Sequence, residues 1–286
     1  MRKILLYIII CAAAAACTES FDEPERKLVL EAWIDTDGYP VALLTETFSP
    51  GSSANVSDIV VKWGKVSISD GTDTIVMTGS YSADYFPPYR YFNYTMEGKP
   101  GKTYTISAEY DGMTVSARAR MAQPTPIDSI VVSNIEGEDS LKSGMLYFTA
   151  PEDCPAYYYL TVRNLIDHTN TQPGLAMLST TEVTEPAKKV SIPIYNPKNH
   201  VDSTSYVANL MVGQNLEIKL CRVEREIYEF WHDYDNYVMF GNSQFISNQG
   251  SLRGNIENGF GIFSVQATST SYIKVENSGT KNKGEK

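Results

Sequence analysis

Residues able to do chemistry are few in this 286-residue chain, and their spacing argues against most catalytic schemes. His168, His200 and His232 stand far apart, and none lies in an HExxH, the spacing that brings two imidazoles to one helical face for zinc. No GxSxG elbow presents a nucleophilic serine. His232, Asp233 and Asp235 cluster, but carboxylates two residues apart on a helix point to different faces, which reads as a solvated surface. Asp35, Asp37 and Gly38 open like a calcium loop yet lack its closing glutamate, so a hairpin turn is expected. GNIENGFGIF, 254 to 263, is glycine-rich, but phosphate cradling needs a strand before the glycines and a helix after them. Here a helical pattern precedes and a strand pattern follows, with no lysine before Lys274. Asn255, Asn258, Gly259 and Gly261 therefore read as a turn, anchored by burial of Ile256, Phe260 and Phe263. Counting carboxylates in an acidic chain identifies no glycosidase pair. The expectation is a chain that is not an enzyme and uses neither a cofactor nor a metal.

The most legible chemistry lies at the start. MRKILLYIIICAAAAACTES has Arg2 and Lys3, an apolar run and then small residues before Cys17, the layout of an export signal. Ala14, Ala15 and Ala16 directly before Cys17 fit a bacterial lipoprotein signal over residues 1–16, although leucine is commoner where Ala14 stands. Cys11 follows three isoleucines, too bulky for a signal peptidase pocket. Lipidation is therefore assigned to Cys17, an ordinary cleaved signal being the alternative. Several acyl chains at about 0.8 kcal/mol per methylene would hold the domain on a membrane. TESFDEPER then forms an acidic tether within 17–26.

Loss of residues 1–16 leaves 22 basic against 34 acidic residues, so no electrostatic footprint for nucleic acid exists. Two further cysteines remain, Cys154 and Cys221, for which a disulfide and two buried free thiols are both compatible with export. The surface-recognition hint is aromatic. YSADYFPPYRYFNY alternates Tyr89, Tyr91 and Asn93 against Arg90, Phe92 and Tyr94, so one face is core. The candidate ligand or partner contacts are Tyr85, Phe86 and Tyr89. Trp33, Trp63 and Trp231 sit in patterned elements and are expected in the core.

These residues need elements to position them. Short Val-, Ile-, Thr- and Tyr-rich runs recur from 27 to 121, separated by turn signals such as SDGTD and YDGM. About seven such strands imply an immunoglobulin-like β-sandwich. Pro124 and Pro126 mark a linker at 122–126. A second β-sandwich-like domain follows over 127–275, with a polar insertion loop or lid between 167 and 188. It carries one amphipathic helix, 224–240, in which Ile227, Phe230 or Trp231, Tyr234 and Val238 recur at helical steps. Residues 276–286 read as a disordered tail.

KLVLEAWI, VSISDGTDT, PGKTYTISAEYDG, the proline seam with PIDSI, EREIYEFW and GNIENGFGIFSV occur in an order that resembles the domain of unknown function 4249 family of Bacteroidetes lipoproteins. The resemblance spans about residues 25 to 273. It implies a lipid-anchored outer-membrane location, with the outer surface favoured, and association with a TonB-dependent transporter; it supplies no catalytic residues. The expected function is thus a non-catalytic accessory or ligand-capture subunit of such a transporter, with a glycan or peptide as candidate ligand. A surface adhesin or glycan-binding module is the alternative.

Overall fold

In LVLEAWID, 28 to 35, every second side chain is apolar, the period that turns one face of a strand into a core. The computed structural model describes residues 26–48, 55–151, 155–171, 173–182, 189–197, 208–240, 252–277 and 281–282. Before Ala122 it contains β1 (Leu28–Asp35), β2 (Val41–Glu46), α1 (Val56–Ile59), β3 (Lys65–Ser69), β4 (Thr74–Val76), β5 (Thr78–Tyr81), β6 (Tyr89–Phe92), β7 (Thr103–Tyr110) and β8 (Met113–Arg120). After the prolines come β9 (Ile127–Ile135), β10 (Glu138–Thr149), β11 (Tyr157–Asn164), β12 (Met177–Ser179), β13 (Lys189–Ile194), β14 (Leu210–Met211) and β15 (Asn215–Val223). Helix α2 (Arg225–Phe240), β16 (Phe260–Lys274) and β17 (Lys281–Asn282) complete the order. The fold is mostly β and sandwich-like.

The 15-residue β16 joins the halves. Its first part lies parallel to β1, with Ala32 opposite Phe263 and Ile34 opposite Val265. Its second part lies antiparallel to β15, with Lys219 opposite Thr270. One eight-stranded sheet results, in the order β12-β11-β15-β16-β1-β2-β6-β5. Two smaller sheets, β4-β3-β7-β8 and β13-β10-β9-β17 with β14 beside β10, fall on either side of the proline segment in sequence. The linker 122–126 thus separates the small sheets, while the large sheet runs across it.

Register assigns the faces, because paired residues point to the same side of a sheet. Phe263, Val265 and Ala267 of β16 share a face with Leu30, Ala32 and Ile34 of β1, and all are buried with Val66, Ile106, Val115 and Ala117 of the first small sheet. Further along that face, Ile273 joins Leu216, Ile218, Leu220, Tyr158 and Leu160 against Leu146, Phe148 and Ile192 of the second small sheet. Both small sheets therefore cover the same face. Tyr159 and Cys221, on the opposite face, are also fully buried. They belong to the cluster that includes Ile227 and Phe230 of α2, and Tyr157 meets Tyr228 ring to ring at 5.3 Å, so the amphipathic helix docks on this second face.

Several expectations need correction. Trp63 is 88% exposed. The Tyr91 hydroxyl donates to the Val61 carbonyl and accepts from the Gly64 amide, which pins both ends of this turn and leaves its two central residues, Lys62 and Trp63, outside. Phe260 is 44% exposed and contributes little burial to its turn, whereas Phe263 is fully buried. Within the tail expected to be disordered, Lys281–Asn282 pair with Val131 and Ile130 on the open edge of β9, where unpaired amides and carbonyls accept a short strand. The segment after β11 is no free lid over its described part: Thr171 donates to the Val162 carbonyl, and the Leu160 amide donates to Ala176.

Candidate functional site

The face of the large sheet that carries α2 also holds a groove of about 940 Å³. Its floor is built by alternation. Glu31, Trp33 and Asp35 point outward from β1, and Ile262, Ser264 and Gln266 stand beside them on β16. Lys219 and Glu217 of β15 continue the floor, followed by Thr161 and Arg163 of β11. Glu31 is level with Ile262 and Lys219 with Thr270, so the floor extends over eight residue steps of β16, roughly 25 Å at about 3.3 Å per step.

Two loops wall the groove. On one side stand Asp84 and Tyr85. The Tyr85 ring lies between Trp33, 5.9 Å away, and the Arg90 guanidinium, 5.1 Å away, which also donates to its hydroxyl at 3.0 Å. On the other side are His168, Asn170, Pro173 and Trp231. His168 adopts a positive φ of 60° where the chain reverses after β11, and its amide donates to Asn164. The 3₁₀ turn Pro173–Leu175 then packs on α2. Any side chain at Gly174 would meet the Trp231 carbonyl at 2.7 Å, so the close approach of turn and helix requires glycine there.

The charges are unevenly compensated. Lys219 Nζ lies 3.1 Å from Asp35 Oδ2. Burial alone would lower the Lys219 ammonium, but Asp35 with Glu217 nearby holds it above the usual lysine value. Asp35 Oδ1 is buried without a partner among the described residues, and so is Trp231 Nε1. Arg163 donates to His168 Nδ1 at 3.2 Å, which marks that imidazole nitrogen as an acceptor. Glu217 accepts from the Tyr272 hydroxyl. Glu31 has no ion pair or side-chain hydrogen bond among the described residues, and desolvation raises its carboxyl pKa. Its surface is nevertheless open to the groove: the surrounding walls, and not a cover, remove bulk water from around it.

That asymmetry carries a stability consequence. A carboxyl whose folded pKa is raised binds its proton more tightly when folded, so ionised Glu31 opposes folding above the raised value. The opposition fades as pH falls through that value. Glu31→Gln is therefore expected to melt at a higher temperature than the parent at neutral pH, with the two curves converging in acid. Calorimetry across pH 3 to 8 checks this; a lower melting temperature at neutral pH would mean that Glu31 has a partner.

Of the three aromatic contacts expected from sequence, only Tyr85 lines the groove. Phe86 is 77% exposed and lies outside it. Tyr89 packs against Tyr91 at 5.6 Å and donates to the Lys62 carbonyl, on the core side of β6. Cys17 and Cys154 lie outside the described residues. Cys221 is a free thiol buried beneath α2, its pKa pushed up by burial. Among the described residues no group of three or more His, Cys, Asp or Glu could hold a metal, and no helix is long and apolar enough to cross a membrane.

Sequence reasoning did not single out Glu31, Asp35, Arg163 or Lys219 as site residues. A signal was present in β1: Glu31, Trp33 and Asp35 share the face opposite Leu30, Ala32 and Ile34, so a tryptophan expected inside the core lies on a charged stripe. No curated protein matches the chain. GNIENGFGIF proves to be a turn that feeds β16, with Asn258 at φ 61° and the Asn255 side chain bonding both the amide and the carbonyl of Phe263, and it lies within the stretch over which a known family model fits. That model, described as Domain of unknown function (DUF4249), matches residues 18–271, and the chain belongs to this family.

Proposed function

We propose that this chain is a non-catalytic ligand-capture subunit, lipid-anchored through Cys17 at the outer membrane, which holds an extended polar ligand for a TonB-dependent transporter. The observation that carries the capture reading is the long open groove, lined by Trp33 and Tyr85 and by the charged side chains of Glu31, Asp35, Lys219 and Arg163. The anchor rests on the export signal and Cys17, and the transporter on the family resemblance. The two β1 carboxylates are not spaced as a glycosidase pair. Glu31 and Asp35 are four residues apart on one strand face, roughly 13 Å, beyond the 5 to 9.5 Å used by paired glycosidase carboxylates.

Two measurements test this reading. Mild-detergent purification of the full chain from native membranes is expected to recover a large β-barrel partner, and Cys17→Ala is expected to lose it. Whatever ligand co-purifies should bind the Trp33→Ala variant at least about fivefold more weakly, because an aromatic contact of this kind contributes on the order of 1 kcal/mol or more. Trp63→Ala, at an exposed residue outside the groove, should bind normally. Loss of binding with Trp63→Ala but not with Trp33→Ala would move the site away from the groove.

A further inference from the structure

Where β1 and β16 begin, a second hollow of about 380 Å³ opens between the large sheet and α2. Val29, Phe230, Tyr234, Leu252, Phe260 and Ile262 make it apolar. Glu31 and Trp231 line both this hollow and the groove, so they stand at the junction. The Trp231 ring is fixed there by T-shaped contacts with Phe230 at 5.2 Å and Tyr234 at 5.7 Å. Two features therefore converge where α2 meets β1 and β16: an apolar hollow, and a carboxylate with no ion pair or side-chain hydrogen bond among the described residues.

Each feature restricts what can bind. An uncompensated carboxylate among aromatic walls favours a cation, which gains the charge pair and the negative faces of the rings together. The hollow favours an aliphatic or aromatic side chain, at about 25 cal/mol per Å² of apolar surface removed from water. A neutral sugar offers neither the cation nor the apolar group.

We infer that the junction recognises the amino terminus of a peptide: its ammonium on Glu31, its first side chain in the apolar hollow, and the following residues along the groove. This deepens the capture reading and rests on it, since the groove must receive the rest of the chain. At about 3.3 Å per extended residue, the 25 Å floor accommodates seven or so residues.

The test uses the full chain in mild detergent with three probes: the hexapeptide FTSGTS, its N-acetylated form, and the same peptide with serine in place of the first phenylalanine. Calorimetric titration is expected to show the free-amine phenylalanine peptide binding at least tenfold more tightly than either of the others. Glu31→Gln should abolish the preference for the free amine while remaining folded, which its melting temperature reports independently. Equal binding of the acetylated peptide, or an intact preference in Glu31→Gln, overturns the inference. Binding of a neutral hexasaccharide such as maltohexaose, with no peptide bound, also overturns it but leaves the capture reading standing. If neither peptide nor saccharide binds while the purified chain still carries a barrel partner, the peptide inference fails and transporter association survives alone.

Discussion

Replacing Gly261 by alanine is expected to lower stability by about 3 kcal/mol or more. Gly261 has φ +112°, a conformation that side-chain-bearing residues rarely adopt, and an added Cβ would overlap the Leu30 carbonyl. Leu30 is its partner in the parallel pairing of β1 with β16, so the obstruction is backbone held by two ladders and cannot rotate away. Gly112 is the control: it also has a positive φ, +77°, in the β7–β8 hairpin, but an added Cβ meets nothing within 4 Å. Gly112→Ala should cost only about 1 kcal/mol, from backbone strain alone. Urea unfolding of both variants gives the comparison, and equal midpoints would show that β1 and β16 do not approach as closely as described.

Phe263→Ala is expected to cost about 3 to 5 kcal/mol, the range for removing a fully buried aromatic side chain. Phe263 is fully buried, shares a face with Ala32, and belongs to the cluster containing Ile106, Val115 and, through the opposite face, Ile227. Its effect should reach both sides of the proline linker. Residues 27–121 and 127–275 were expected to form separate sandwiches, but the large sheet draws β1, β2, β5 and β6 from one and β11, β12, β15 and β16 from the other. Unfolding should accordingly be one transition, with tryptophan fluorescence and far-ultraviolet circular dichroism coinciding in the parent and shifting together in Phe263→Ala. Leu146→Ala, in the second core cluster, should lower the same transition by about 2 to 5 kcal/mol. Two separated transitions, with Phe263→Ala moving only one, would mean that the shared sheet does not couple the halves.

The two predictions concern the same 15-residue strand, and the site depends on it. β16 places Ile262, Ser264 and Gln266 on the groove side and Phe263, Val265 and Ala267 in the core. A slip of one residue in its register would exchange those sets and destroy both. Asn255 guards against this slip: its side-chain amide donates to the Phe263 carbonyl at 2.9 Å and accepts from the Phe263 amide at 2.8 Å.

Local pattern alone determined much of this protein. Alternation in KTYTISAEY and MTVSARARM located β7 and β8, and the Asp111-Gly112 pair located their turn, because side-chain period and positive φ are properties of neighbouring residues. The three- and four-residue steps of EREIYEFW located α2 for the same reason. The turn reading of GNIENGFGIF followed from glycine and asparagine backbone preferences. Tertiary structure alone decided the rest. Parallel pairing joins β1 to β16 across some 230 residues of chain, and no local period encodes which distant strand becomes a neighbour. That one pairing merges two expected sandwiches into a shared sheet. It also brings Glu31, Asp35 and Lys219 onto one floor, although Asp35 in sequence is only a turn residue and Lys219 only a strand position. Trp33 and Trp63 look alike as aromatic residues in patterned segments, yet one lines the groove and the other faces solvent, because exposure depends on what packs above a face and not on which residues share it.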